Sequence, residues 1–195
     1  MAHPNEELYL AKFLEEWPVA QWPAPLQSAR ILNVGCKGPH RLNYQALFPT
    51  QTVVGLDQTS GRGVDIVCDL TGDCEALAGE RFGVILCCSV LEHCAQPWQA
   101  AANLVQHLLP HGLLYVSVPW IWRYHEYPQD YWRFSAEAIK VLFPTIEWKR
   151  TAYATQRKGE VLSNVSPDGP PWRIPKKNGR VYLASQMLCM IGRRP

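Results

Sequence analysis

Residues 123–135 read RYHEYPQDYWRFS and crowd one imidazole, two carboxylates, two guanidinium groups and five aromatic rings around Pro128. The run has no period of 2 or 3.6, so a loop is expected here and not a strand or helix face. His125 titrates in the range suited to a base, and Asp130 or Glu126 can orient it or serve alone. Tyr124, Tyr127, Tyr131 and Trp132 offer flat walls that stack on a sugar or a ring and favour a nearby cation, while Arg133 suits a phosphate or carboxylate. A plainer arrangement stands beside this one. Tyr131, Trp132 and Phe134 would seal the next helix, Arg133 would pair with Asp130, and His125 alone would face a ligand.

A loop with such contents needs a scaffold. The chain has 195 residues, 47% apolar and 18% charged, which suits one globular domain. We divide it into an N-terminal helix and Pro-rich lead-in (1–29), a core (30–143) and C-terminal strands (144–195) that carry a long basic loop at 156–179. No run of about eighteen apolar residues is present to span a bilayer. The first residues, MAHPNEELYLAKFLEEW, are acidic and amphipathic where a signal peptide is basic and then apolar. A cytoplasmic protein without membrane contact is expected. The seven cysteines, with Cys87 and Cys88 adjacent in an apolar run, read as small buried hydrophobes in a reducing compartment. Cys88, His93 and Cys94 lack paired zinc spacing, so no metal is expected.

The net charge of +2 is unevenly spread, because residues 149–195 hold ten Lys or Arg against Glu160 and Asp168. That basic end suits an anionic substrate, a nucleic acid or an acidic partner, although a solvated basic face is the more common explanation.

Asn5 is expected to cap a helix running to about Trp17, with Leu10, Phe13, Leu14 and Trp17 on one side. From Arg30 onward, short apolar runs alternate with helical stretches: RILNVG, TVVGLD, VDIVCD, FGVILCCSV, a helix from about Trp98 to Leu109, and GLLYVSVP. Continuous apolar strands separated by helices predict an α/β, Rossmann-like, doubly wound sheet of seven mostly parallel strands covered on both faces. Ser135 then caps a helix, and TIEWKRTAYAT and RVYLASQMLCMIG form a terminal antiparallel hairpin.

Open parallel sheets bind ligands at the carboxyl ends of their strands. There, Gly35 and Gly38 let backbone N–H groups approach a ligand, although Lys37 and His40 leave the G-x-G-x-x-G pattern incomplete. Asp57 ends the second strand, where a ribose diol donates two hydrogen bonds, and Asp69 follows the third, within reach of an adenine amine.

This ordered set resembles the class I S-adenosylmethionine-dependent methyltransferases over roughly residues 30–143. The resemblance implies S-adenosylmethionine as cofactor, held by the glycine turn and the two acids, with the amide oxygen of Asn33 standing where the family often has an acid for the methionine ammonium. CCSVLEHCAQP is similar to the family's S-x-V-L-E-H signature and implies that Ser89, Val90, Leu91, Glu92 and His93 line the cofactor side. H-x-Y-P-x-D-Y-W-R-F resembles a subgroup associated with glycan or secondary-metabolite modification. It implies methyl transfer to a small-molecule or carbohydrate acceptor, with His125 and Asp130 catalytic and Tyr124, Tyr127, Tyr131 and Arg133 at the acceptor. Nucleic acid is disfavoured as substrate because SVLE stands where an N/D-P-P-Y/F tetrapeptide would follow the fourth strand. The alternative is a catalytically silent module with the same fold, docked into a larger assembly through its basic end.

Overall fold

The computed structural model describes residues 4–37, 44–126, 128–155, 161–163 and 186–195. Its strands are β1 (Ile31–Val34), β2 (Val53–Asp57), β3 (Ile66–Val67), β4 (Phe82–Cys88), β5 (Leu108–Ile121), β6 (Glu147–Thr155), β7 (Val161–Ser163) and β8 (Gln186–Arg193). They form one sheet in the order β3-β2-β1-β4-β5-β8-β6-β7. The first five are mutually parallel, and β8 runs antiparallel between β5 and β6. Seven strands match those read from the sequence; short β7 adds an eighth at the edge beside β6, inside the stretch assigned to the basic loop. The remainder of that loop lies outside the described residues.

Among the described residues four α-helices flank the sheet: α1 (Pro4–Glu16), α2 (Ala24–Gln27), α3 (Pro97–His107) and α4 (Ala136–Leu142). Successive residues of a strand face opposite sides, and the central strands divide accordingly. Val84, Leu86 and Cys88 of β4, Leu113 and Tyr115 of β5, and Met187, Cys189 and Ile191 of β8 pack with Tyr9, Leu10 and Phe13 of α1. Ile85, Cys87, Leu114, Val116, Leu188 and Met190 pack on the other side with Leu104 of α3 and Ile139 of α4. Both faces are buried, which is why these strands read as unbroken apolar runs.

Three local expectations change. Helix α1 begins at Pro4, so Asn5 lies within the first turn and is 2% exposed instead of capping it. Proline suits that first helical position, where its missing N–H would have had no helical partner. Strand β3 keeps only two residues because the Asp65 carboxylate takes the Gly55 N–H at 2.7 Å, so a side chain substitutes for a strand carbonyl. Free thiols are found at Cys36, Cys87, Cys88, Cys94 and Cys189, but Cys68 and Cys74 are joined by a disulfide that closes the loop carrying Asp69. Among the described residues no helix is long and apolar enough to cross a membrane.

Candidate functional site

The carboxyl ends of β1, β2, β4 and β5 bring the predicted residues to one edge. After β1 the chain turns at Gly35 with φ +69°, a conformation that L side chains rarely adopt. A Cβ there would lie 2.5 Å from Val90 Cγ2, so the turn and the loop after β4 are in direct contact. Asn33, two residues earlier, is 4% exposed within the strand. At the end of β2, Asp57 accepts hydrogen bonds from the Lys37 N–H at 3.0 Å and the Thr59 N–H at 3.2 Å. The carboxylate thereby ties the glycine turn to the next loop. The Thr59 hydroxyl also donates to Oδ1 at 3.4 Å, so of about four acceptor positions on a carboxylate one is open, and a second opens if that long bond gives way.

Asp69 is exposed and uses Oδ1 on the Thr71 N–H at 2.8 Å and the Thr71 hydroxyl at 2.7 Å. Lys37 lies over the same edge, its Nζ donating to Thr59 Oγ1 at 2.8 Å. Gly38 lies outside the described residues.

The loop after β4 carries the signature. Ser89 takes a positive φ of 54°, and its N–H donates to Ser117 O at 2.9 Å, which holds the strand exit against β5. Leu91 is wholly buried in the core below. Glu92 is also 0% exposed, and neither carboxylate oxygen has a hydrogen-bond partner. Burial pushes its carboxyl up to about 8, since desolvation penalises the charged form.

The loop after β5 closes over this acid. His125 Nε2 lies 3.9 Å from Glu92 Oε1 and its Nδ1 lies 3.1 Å from Asp130 Oδ2. His93 Nε2 lies 3.8 Å from the same Glu92 oxygen, while its Nδ1 lies 2.5 Å from the Gln129 carbonyl oxygen. Desolvation lowers both imidazoles from their ordinary value and so favours neutral rings. Asp130 goes the other way, to about 2. Its hydrogen bonds from Arg133 lead, opposed by desolvation and helped by the His125 N–H, which donates to Oδ2 at 2.7 Å.

The side chains of the aromatic loop divide between internal contacts and exposure. Arg133 donates to Asp130 at 2.5 and 2.8 Å and to the carbonyls of Trp122, Arg123 and Trp132. Its guanidinium is therefore an internal clamp and not an acceptor-binding group. Phe134 is 4% exposed in the core, and the Trp132 indole N–H donates to Cys94 O at 2.9 Å. Tyr124 and Tyr131 stay more than half exposed, with the Tyr124 hydroxyl donating to Glu126 at 3.2 Å. Tyr127 lies outside the described residues.

Sequence reasoning missed Glu6. It is 0% exposed, and its carboxylate accepts from the hydroxyls of Ser117 and, at 3.4 Å, Ser89. Its carbonyl accepts from Tyr115 OH at 2.8 Å. The signal was present: Glu6 stands one helical turn before Tyr9 and Leu10, on the apolar stripe of α1, where a charge is out of place.

Comparison with known proteins agrees with this geometry. Residues 32–116 match the family described as Methyltransferase domain. A 108-residue segment is 31% identical to a ubiquinone biosynthesis O-methyltransferase of Cereibacter sphaeroides, covering 49% of this chain and 43% of that protein. The chain thus spans less than half the length of that relative. The N-methyltransferase NodS of Bradyrhizobium japonicum, solved with S-adenosylhomocysteine, superimposes with a TM-score of 0.58 at 13% identity, over 97% of this chain and 88% of that one. The 1,6-didemethyltoxoflavin N1-methyltransferase of Burkholderia thailandensis gives 0.59 at 14% identity, over 98% and 87%. Residues 32–116 are thus similar to that methyltransferase domain, and the sheet has the fold that these solved methyltransferases share.

Proposed function

We propose that the protein transfers a methyl group from S-adenosylmethionine to a hydroxyl of a small-molecule or carbohydrate acceptor. The observation that carries this reading is the juxtaposition of the Gly35 turn with the loop that holds Glu92 and His93, roofed by His125 on its Asp130 support. Small-molecule acceptors are named for two of the similar proteins, an O-methyltransferase of ubiquinone biosynthesis and the toxoflavin enzyme. The residues fit the cofactor. Gly35 leaves space where a side chain would clash, Asp57 presents a carboxylate for the ribose diol, Asn33, Asp69, Ser89, Leu91, Glu92 and His93 complete the edge or the packing beneath it, and Gly38, outside the described residues, is assigned to the cofactor by its place in the sequence.

When bound, S-adenosylmethionine supplies an electrophilic methyl carbon. The chain holds the acceptor oxygen in line with it, and a near-attack distance of about 3 Å is what such positioning contributes. His125 takes the hydroxyl proton at Nε2, while Asp130 fixes the ring through Nδ1 and steadies the imidazolium. Arg133 is a positioning residue, because it acts through Asp130. Tyr124 and Tyr131 form the acceptor wall, to which Tyr127, outside the described residues, is assigned by its place in the sequence.

The test is transfer of labelled methyl groups to a panel of hydroxylated acceptors, comparing wild type with His125→Ala. A loss of about a hundredfold with unchanged cofactor affinity is expected for a lost base; an unchanged rate would return His125 to packing. No transfer to any acceptor by the wild type would favour the silent docking module.

A further inference from the structure

We propose that Glu92, His93 and His125 form a binding site for one divalent transition-metal ion, held by Glu92 Oε1 and the two imidazole Nε2 atoms. Each residue offers one ligand atom, and these atoms lie within 4.8 Å of one another. The carboxylate-to-imidazole separations of 3.8 and 3.9 Å are too long for hydrogen bonds. They come within about half an ångström of the ligand spacing around an ion with bonds of 2.0–2.2 Å.

Two observations point to an ion here. Glu92 is fully buried with both oxygens unpartnered, the kind of group that is paired or bound to a metal when it persists in an interior. His93 Nδ1 is engaged by the Gln129 carbonyl, and His125 is held beside Asp130 by its backbone N–H, with Nδ1 3.1 Å from Oδ2; in both rings Nε2 is the atom nearest Glu92. Metal-binding histidines are held by such outer partners, and here Asp130 is itself fixed by Arg133.

Two imidazoles and one carboxylate favour zinc, cobalt, iron or manganese over magnesium and calcium, which prefer all-oxygen shells. The ligands come from two loops 32 positions apart, so no local spacing announces them. Three protein ligands leave a position open for an oxygen from solvent or acceptor.

The ion's role in catalysis rests on the methyl-transfer reading; its binding does not. The base role of His125 Nε2 belongs to the metal-free protein; with the ion in place that nitrogen is a ligand. The acceptor O–H then loses its proton to solvent base, and the oxygen forms the new bond to the methyl carbon. As the carbon–sulfur bond breaks, its electron pair stays on sulfur.

The experiment uses the full chain, freed of metal by a chelator and titrated with zinc chloride by calorimetry without cofactor or acceptor. Cobalt(II) absorption serves as a second readout. One equivalent is expected to bind, with affinity reduced roughly a hundredfold or more in Glu92→Gln and His93→Gln, and about 10–100-fold in Asp130→Asn, which removes only an outer partner. Thermal melts establish that the variants fold. Absence of one-equivalent binding, or undiminished binding in folded Glu92→Gln and His93→Gln, would overturn the site. Zinc binding by a chain that binds no S-adenosylmethionine would sink the methyl-transfer reading and leave this one standing.

Discussion

Arg133 and Asp130 hold the chemistry in place without joining it. The guanidinium reaches two carboxylate oxygens and three carbonyls, so Arg133→Met is expected to cost about 1–3 kcal/mol in urea denaturation. Asp130 has its folded-state carboxyl depressed to about 2, below an unfolded value of about 3.9. The stabilisation it supplies is therefore present above the unfolded value and is lost as pH falls through the folded one. Acid titration should show this loss in the wild type and a smaller one in Asp130→Asn. Gly35 is a third test. Gly35→Ala forces a side chain onto a φ of +69° and into Val90, and it should lower both stability and cofactor affinity.

Elements deliver these residues to one edge, and how legible each was depended on what kind of signal it carried. Strands β1, β2, β4 and β5 were readable because burial on both faces makes them apolar throughout. Helix α4 was readable from its cap, since Ser135 Oγ accepts the Ala138 N–H at 3.2 Å. Ser135→Ala should cost about 1 kcal/mol in thermal or urea unfolding. Strand β3 was overestimated because the side-chain bond from Asp65 is invisible to an apolar pattern. The signature loop put Glu92 and His93 side by side in the sequence, but nothing local showed that His125 meets them, because that contact is set by the path of the loop after β5. Glu6 was overlooked for a related reason: its hydroxyl partners come from β4 and β5, more than eighty positions away. The strand cysteines give an independent check of the packing. Burial pushes the Cys189 thiol up to about 12 and Cys87 and Cys88 well above their usual range. A thiol reagent should therefore modify these three only on unfolding.

At the scale of the molecule, a sheet sealed on both faces leaves its carboxyl edge as the place where polar groups gather. The α1 helix brings Glu6 to that edge, and Arg150 of β6 pairs with Glu16 at its other end. The basic residues between 157 and 180 lie outside the described residues. The account turns on whether the edge takes S-adenosylmethionine, and calorimetric titration of the full chain answers that directly. We predict binding with roughly micromolar affinity, weakened by about 1–3 kcal/mol in Asp57→Ala through lost charge-assisted hydrogen bonds. No heat from the folded wild type, or an affinity unchanged in Asp57→Ala, would contradict it.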